Sequence, residues 1–143
     1  LKDIKRKKIE LIVFHYQSQV YNNKNFRTKL SYLINNLQIP VYIILPVPEF
    51  NYNIPETLYK LSETNNLKPN YSLEHKKHDK NKFNFLKEID KKVFILDPFE
   101  YLCLDENKCL VQLSSKPLYF DSKHLTTYGS GILNDLFEQI ILK

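Results

Sequence analysis

An aspartate and a histidine with the spacing of a proton-transfer pair lie near the C-terminal end of the sequence. Asp121 comes three residues before His124, between an extended segment and an apolar stretch with helical periodicity. This spacing lets the carboxylate lie beside the imidazole, fix its tautomer and stabilise it when it is protonated. We therefore predict that His124 is a general base and Asp121 its orienting partner. The alternative is an ordinary aspartate cap at a helix start, since Asp-x-x-His alone is a weak pattern.

The serine that such a pair would activate is not evident from the sequence. Ser18 follows the first predicted strand, and Ser114 and Ser115 precede Pro117. A nucleophilic serine of this kind lies on a tight turn between a strand and a helix, and none of the three fits such a turn. We interpret all three as ordinary loop serines.

The other histidines give weaker signals. His15 follows the first predicted strand, where a rim or packing role is favoured over that of a second base. His75 and His78 lie in a charged segment and are interpreted as solvated. Even at helical spacing these two would lack the third ligand that a metal needs. The sequence predicts neither a metal site nor a cofactor.

The two cysteines, Cys103 and Cys109, are separated by five residues, among them Asp105, Glu106 and Asn107. These residues favour a turn, which would bring the two sulfurs within bonding distance. Two cysteines with no histidine nearby make a poor zinc site, because four ligands are normal. The alternative to a disulfide is two unrelated thiols. A disulfide would indicate an oxidising compartment.

The composition is that of a folded domain with a basic surface. Hydrophobic residues make up 43% of the 143 residues, and the formal net charge is +5. Basic residues concentrate at 2–8 and 75–80, and such runs can bind phosphate backbones. A solvated surface is the simpler interpretation, because acidic residues are scattered throughout and no aromatic residues are interleaved with the basic ones. Nucleic acid is therefore not among the predicted partners, although a nucleic-acid-binding module stays as the weakest alternative.

The first residue is Leu1 and the chain contains no methionine, so we expect it to begin inside a larger protein. No apolar run approaches the roughly 20 residues that span a bilayer. The longest apolar run is about residues 41–47. The chain itself is expected to be soluble, and a membrane domain could precede it.

Short apolar runs rich in β-branched residues predict buried strands at 9–14, 41–45 and 92–96. Helical spacing predicts a helix at 25–37 and one continuous helix over 125–141. A short helix is predicted at 55–61, with proline in its favoured first turn, and another at 83–89. The polar residues 65–80 are predicted to form a loop, and residues 111–113 and 118–120 short extended pieces. Strands that alternate with helices predict an α/β domain with a parallel sheet. Gly129 and Gly131 reduce helix propensity, which makes sense if the backbone passes close to another element there.

The segment around Asp121 reads Tyr119-Phe-Asp121-Ser-Lys-His124-Leu125-Thr-Thr-Tyr-Gly129. It resembles the C-terminal block of the SGNH hydrolase superfamily, approximately Tyr-x-Asp-x-x-His-Leu-Ser-x-x-Gly, with Thr126 in place of the usual serine. More narrowly, it resembles the SGNH domain fused behind acyltransferase family 3 membrane proteins. These proteins are the bacterial O-acetyltransferases that decorate cell-surface glycans.

The resemblance extends upstream and covers most of the chain. Asp97-Pro98 followed by Cys103 and Cys109 resembles the family's cysteine pair after its late strand. Residues 41–49, a strand that ends in Pro-Val-Pro-Glu, resemble the segment after the family's central strand. The helix start Pro55-Glu56-Thr57-Leu58 is similar to the next segment of the family.

The resemblance implies a three-layer α/β/α sandwich with a mainly parallel sheet, similar to flavodoxin. It implies a Ser-His-Asp site in which His124 is the base and Asp121 the orienter, and it supports the disulfide between Cys103 and Cys109. The implied reaction is transfer or hydrolysis of an O-acyl group, most often acetyl on a sugar hydroxyl, outside the cytoplasm. The implied partners are a glycan acceptor, an acyl donor and a membrane acyltransferase domain that tethers this one within the same parent chain.

The sequence departs from the family at the nucleophile. The family's serine lies in a Gly-Asp-Ser block after the first strand, whereas the only glycines here are Gly129 and Gly131. We therefore predict that residues 1–143 are a single domain, the C-terminal portion of an SGNH domain that lacks its N-terminal strands, with the serine outside this chain. A different class of function is the alternative: a non-catalytic SGNH-like binding or scaffold domain that has lost the nucleophile.

Overall fold

The computed structural model describes residues 8–77, 80–89 and 93–141. In these ranges the strands are β1 (Ile12–His15), β2 (Val41–Ile44), β3 (Tyr71–Glu74), β4 (Val93–Leu96), β5 (Lys108–Leu113) and β6 (Lys116–Pro117). The α-helices there are α1 (Lys24–Asn35), α2 (Ile54–Glu63), α3 (Asn84–Lys87), α4 (Phe99–Leu102), α5 (Thr127–Gly131) and α6 (Asn134–Ile141). Short 3-10 helices cover Ser18–Asn22 and Lys80–Phe83. None of the helices in the described ranges is long and apolar enough to cross a membrane.

The described residues divide into two compact units. The first unit contains residues 8–46, 80–89 and 93–97, and the second contains residues 47–77 and 98–141. The prediction that residues 1–143 form a single domain without N-terminal strands stays a prediction.

The first unit is built on a parallel sheet, which confirms the predicted α/β class. The strand order is β1-β2-β4, with Ile12 opposite Val41 and Val41 opposite Val93. All three strands lie where the apolar runs predicted them, with ends shifted by up to three residues. Residue 92, where the third strand was predicted to begin, lies outside the described ranges.

One face of this sheet packs against helix α1 and a cluster of aromatic rings. The predicted helix is confirmed, because Asn23 accepts the N–H of Phe26 at its start and Leu30 and Ile34 are buried on its inner face. The ring of Tyr21 is fully buried and makes edge contacts with Phe26 and with a ring of the 3-10 helix Lys80–Phe83. Apolar spacing and a capping residue together explain why the helix forms here.

The second unit contains an antiparallel sheet that was not predicted. Its strand order is β3-β5-β6, and β3 lies inside residues 65–80, which were expected to form a loop. That prediction was wrong over Tyr71–Glu74 because those residues are only partly buried and carry no strong apolar pattern. Backbone pairing with β5, a strand more than thirty residues further along the chain, decides their conformation.

The apolar stripe over residues 125–141 is not one continuous helix, so that prediction was also wrong. Helix α5 ends at Gly131, and α6 begins at Asn134 after a turn at Ile132 and Leu133. Both turn residues donate their N–H groups to carbonyls three positions back, at Gly129 and Ser130. The helix therefore tightens and stops where two glycines weaken it.

Candidate active site

Asp121 and His124 lie on a tight hairpin that leads into helix α5. Tyr119 and Leu125 form an antiparallel bridge, and the N–H of Phe120 donates to the carbonyl of His124 at 3.0 Å. The loop closes over residues 121–123, so the side chains of Asp121 and His124 are brought together across it. The local sequence favours this turn because aspartate and serine side chains accept nearby backbone N–H groups.

The imidazole of His124 donates from Nδ1 to Oδ2 of Asp121 across 2.6 Å. The second carboxylate oxygen, Oδ1, accepts the backbone N–H groups of Lys123 at 2.7 Å and His124 at 2.8 Å. An ionised carboxylate only accepts, so the ring proton lies on Nδ1 and the lone pair on Nε2. The His124 side chain is 46% exposed.

The carboxyl group of Asp121 is held in its ionised form. Partial burial raises its pKa, but hydrogen bonds from the His124 ring and from two backbone N–H groups outweigh burial and lower the pKa from 3.8 to about 2. The carboxylate is therefore a permanent acceptor at any pH near neutrality. It is suited to orient His124 and to stabilise the imidazolium that forms when Nε2 takes a proton.

A second segment of the same unit holds the hairpin in place. The carbonyl of Ser122 accepts the N–H of Phe50 at 2.8 Å, and the carbonyl of Asp121 accepts the N–H of Ile54 at 3.4 Å. The buried ring of Phe50 also meets the buried ring of Tyr119 edge-on, with centroids 5.1 Å apart. The Asp121 loop is thus held by hydrogen bonds to its backbone and by the packing of the adjacent Tyr119 ring. No pattern in the sequence indicated these contacts.

Thr126 and Gly129 join the hairpin to helix α5. The Thr126 hydroxyl oxygen accepts the N–H of Gly129 at 3.0 Å, and the Thr126 N–H donates to the Leu118 carbonyl at 2.8 Å. Glycine is required at 129 because an added Cβ would meet that same carbonyl oxygen at 2.2 Å. The predicted close approach is therefore confirmed at Gly129. It does not hold at Gly131, where nothing lies within 4 Å of an added Cβ.

Cys103 and Cys109 form the predicted disulfide, with their sulfurs 1.97 Å apart. Cys103 follows helix α4, and Cys109 lies in strand β5. The loop between them turns as the sequence indicated, because Oδ1 of Asp105 accepts the N–H groups of Asn107 and Lys108. These two bonds also hold the pKa of Asp105 below its usual range.

The three serines considered as nucleophiles lie in different settings. Ser18 is the first residue of the 3-10 helix Ser18–Asn22 in the first unit, and its hydroxyl accepts a hydrogen bond from Lys82 Nζ. Ser114 and Ser115 form the turn between β5 and β6, both with positive φ, and their N–H groups bond to residues 69 and 70. Neither of the latter two is hydrogen bonded to His124 within the described part of their unit. The nucleophile is therefore not identified in this chain.

The remaining histidines bond to backbone carbonyls. Nδ1 of His15 lies 3.1 Å from the Ile44 carbonyl. The two ring nitrogens of His75 lie 2.7 Å and 2.9 Å from the carbonyls of Lys76 and Glu106, so this side chain ties two loops together. The prediction that His75 is solvated was therefore wrong. The same prediction for His78 falls outside the described residues. Over the ranges that the structure describes, no cluster of three or more His, Cys, Asp or Glu side chains could hold a metal ion.

One aromatic residue at the site was missed. The ring of Phe120 stacks on the His124 imidazole, with centroids 5.4 Å apart and planes inclined by 13°. The sequence showed only an extended piece at this position. An apolar residue that directly precedes the acid of an Asp-x-x-His pair is the signal that could have drawn attention to it.

The fold agrees with the comparisons with known proteins. The family model for the SGNH domain fused to AT3 domains matches residues 4–139, so the chain belongs to this family. No curated protein matches the chain.

A solved structure also resembles it: the periplasmic domain of the lipopolysaccharide acetyltransferase from Salmonella ser. Paratyphi A. The two share a TM-score of 0.73 and 22% sequence identity over 99% of this chain. This similarity establishes a common fold. The chain spans 60% of the length of that periplasmic domain.

Proposed function

We propose that this chain supplies the histidine and the aspartate of a Ser-His-Asp site for O-acyl chemistry. The reaction is transfer of an acyl group, acetyl in the favoured case, to a cell-surface glycan, or its hydrolysis from one. His124 is the general base, and Asp121 orients it. The observation that carries the proposal is the 2.6 Å contact between Nδ1 of His124 and Oδ2 of Asp121. That geometry leaves Nε2 as the base.

In the first half-reaction, Nε2 of His124 takes the proton of the serine hydroxyl while the serine oxygen bonds to the acyl carbonyl carbon. The tetrahedral intermediate collapses by breaking the bond to the leaving group, which receives its proton from the imidazolium. An acyl-serine ester and a neutral imidazole remain. Asp121, ionised because its pKa is about 2, stabilises the imidazolium between these two proton transfers.

In the second half-reaction, Nε2 takes a proton from the acceptor, which is a sugar hydroxyl in transfer or water in hydrolysis. The acceptor oxygen bonds to the acyl carbon, the ester bond to serine breaks, and the serine oxygen regains the proton from the imidazolium. The same residues serve both outcomes. Exclusion of water from the acceptor site is what would favour transfer over hydrolysis.

The proposed setting is the extracytoplasmic side of a membrane. The family is defined by fusion to AT3 domains, which supports a membrane acyltransferase domain in the parent chain as the source of the acyl group. The relative from Salmonella is a periplasmic domain, and the Cys103–Cys109 disulfide fits an oxidising compartment. No cofactor or metal is required by this mechanism.

The serine is proposed to come from outside this chain. The family's Gly-Asp-Ser block has no counterpart here, and Ser114 and Ser115 lie in a β-turn without a hydrogen bond to His124. If the parent protein also lacks that serine, a non-catalytic SGNH-like binding or scaffold domain becomes the better description.

The test is labelling with a serine-directed fluorophosphonate, read by intact mass. This chain is compared with a version extended upstream in its parent, each with and without His124→Ala. We expect the extended protein alone to gain one adduct and His124→Ala to abolish the reaction. The matched control is His75→Ala, which removes a histidine of the same unit whose two ring nitrogens lie beside backbone carbonyls.

Two results would count against the proposal. If this chain labels by itself, the interpretation of Ser18, Ser114 and Ser115 as ordinary loop serines must be reconsidered. If neither version labels while both are folded, the site is not a serine hydrolase site and the scaffold interpretation takes its place.

A further inference from the structure

The hydrogen bond to Asp121 fixes one atom of the His124 ring but not the plane of the ring. A single N–H···O contact tolerates a broad range of angles. The terminal torsion of histidine is also broad rather than confined to staggered wells. Small changes in the side-chain torsions of His124 could therefore tilt the imidazole within the tolerance of this contact and carry Nε2 away from the serine hydroxyl. A triad base needs a second restraint.

Phe120 supplies a restraint of the required kind. Its ring lies nearly parallel to the imidazole, at a centroid distance of 5.4 Å and an interplanar angle of 13°. Its backbone N–H donates to the His124 carbonyl at 3.0 Å, so the two residues are held opposite one another in the hairpin. An offset stack of two rings is a preferred arrangement of aromatic side chains. Such a stack restricts the plane of the imidazole.

We propose that Phe120 is a positioning residue for the general base: its ring holds the His124 imidazole in the plane that aims Nε2 at the serine hydroxyl. This inference rests on the proposed function, because it concerns the base of that reaction. Asp121 fixes the tautomer and one ring atom, and Phe120 fixes the orientation of the ring.

Packing in the core does not account for Phe120. The side chain is 60% exposed, whereas its neighbour Tyr119 is fully buried against Phe50 and carries the contact of the hairpin with the core. An aromatic ring left mostly in water contributes little burial energy. Within the described part of the chain, the ring contact of Phe120 is with His124, which is itself half exposed.

The expected consequence for catalysis is a loss in turnover rather than in substrate binding. A reacting group misplaced by about 1 Å costs up to about 100-fold in rate. Phe120→Leu keeps an apolar side chain but removes the flat face. We expect it to lower kcat by about 10-fold to 100-fold with KM unchanged, and Phe120→Tyr to restore most of the rate.

The first measurement uses this chain itself and needs no activity. The ring current of Phe120 should shift the ring protons of His124 upfield in the NMR spectrum, and His124→Gln assigns those signals by removing them. Phe120→Leu should move them downfield, and Phe120→Tyr should keep them near the wild-type position. Tyr128→Leu is the matched control, since Tyr128 is a partly exposed aromatic residue of the same unit whose ring faces Lys116.

The second measurement is hydrolysis of an aryl acetate ester by the upstream-extended protein, with kcat and KM determined for the same variants. A fall in kcat for Phe120→Leu with rescue by Phe120→Tyr supports a positioning role. A rise in KM with kcat unchanged would overturn it and make Phe120 a substrate contact. Unmoved His124 signals in Phe120→Leu would overturn it as well.

The two measurements separate this inference from the proposed function. If the extended protein is inactive in every version, the proposed function fails, and the NMR result still decides whether Phe120 orients the ring. If the extended protein is active and Phe120→Leu has wild-type kcat, the positioning role fails while the proposed function stands.

Discussion

A Cβ atom on Gly129 would lie 2.2 Å from the carbonyl oxygen of Leu118. That oxygen also accepts the N–H of Thr126 at 2.8 Å, so it cannot move away without disturbing the hairpin that carries Asp121 and His124. Because residue 129 has no side chain, the backbone of helix α5 can pack directly against the hairpin. The position of the candidate base therefore depends on a glycine five residues after it.

Gly129→Ala should lower the free energy of unfolding by about 2 kcal/mol, because the added methyl group overlaps backbone rather than a flexible side chain. Urea denaturation of the two proteins measures the difference. Gly131→Ala is the control, since nothing lies within 4 Å of its Cβ. It should be neutral or raise the stability by up to about 1 kcal/mol through helix propensity. Equal effects at the two glycines would show that the contact with Leu118 does not matter.

Asp121→Asn should lower fluorophosphonate reactivity of the upstream-extended protein by about 10⁴-fold, the size of the corresponding change in serine proteases. The amide can donate to Nδ1, which favours the wrong tautomer and leaves the proton on Nε2. The rate of adduct formation by mass spectrometry measures the effect. Asp105→Asn is the matched control in the same unit, because Asp105 accepts backbone N–H groups and has no hydrogen bond to a histidine among the described residues. If Asp121→Asn reacts with the fluorophosphonate at the wild-type rate, Asp121 does not orient His124.

The lowered pKa of Asp121 predicts a loss of stability in acid. A carboxyl group whose pKa is lower in the folded state stabilises the fold fully above its unfolded pKa of about 3.9 and loses that contribution as the pH falls. The window therefore runs from about pH 4 down to the folded value of about 2. The contribution should be about 1 kcal/mol after allowance for solvent screening of this one-third exposed side chain.

Urea denaturation at several pH values, for the wild type and Asp121→Asn, measures this contribution. The stability of the variant should fall less steeply between pH 4 and about pH 2. If the free energy of unfolding depends on pH in the same way for both proteins, the partners of Asp121 do not lower its pKa in the folded state.

Tyr119→Phe should stabilise the second unit. The Tyr119 ring is fully buried, its hydroxyl has no hydrogen-bond partner among the described residues, and burial raises its pKa. Removal of an unsatisfied buried hydroxyl should raise the free energy of unfolding by about 1 kcal/mol, while the edge contact with Phe50 stays. Thermal and urea denaturation of the two proteins measure this change in the free energy of unfolding. Tyr52→Phe should have the opposite sign, because the Tyr52 hydroxyl donates to the Glu74 carbonyl at 2.7 Å.

Loss of the disulfide should lower the free energy of unfolding by about 2 kcal/mol, the value expected for a short closed loop. The double variant Cys103→Ser/Cys109→Ser removes it, and urea denaturation with and without reductant compares it with the wild type. Reductant should destabilise the wild type and leave the variant unchanged. Two free thiols in a titration of the oxidised, denatured wild type would contradict the pairing.

The pairing of Asp121 with His124 and of Cys103 with Cys109 could be predicted from the sequence because each pair is close together along the chain. Asp121 and His124 are three residues apart, and Cys103 and Cys109 are six apart, so a single turn suffices to bring each pair together. Turn-forming residues between the partners favour that turn on local grounds. The three strands of the parallel sheet were equally local, since each has four residues of which at least three are apolar.

The secondary structure predicted from the sequence was wrong where distant residues decide the local conformation. Strand β3 has no strong pattern of its own and exists because it pairs with β5. The apolar stripe after residue 125 continues through both terminal helices, and the break between them has no counterpart in that pattern. Hydrophobic periodicity shows which face is buried but not where a helix stops.

The sequence by itself determined the α/β class, the disulfide and the Asp-x-x-His pair, because each depends on residue type and short-range spacing. The tertiary structure alone decided how the pair is held. Phe50 and Ile54 donate hydrogen bonds to the backbone of the Asp121 loop from about seventy residues away in the sequence. Phe120 stacks on His124 because the hairpin turns the two rings toward each other. The contacts of Phe50 and Ile54 depend on where two distant parts of the chain meet, which no pattern of neighbouring residues encodes.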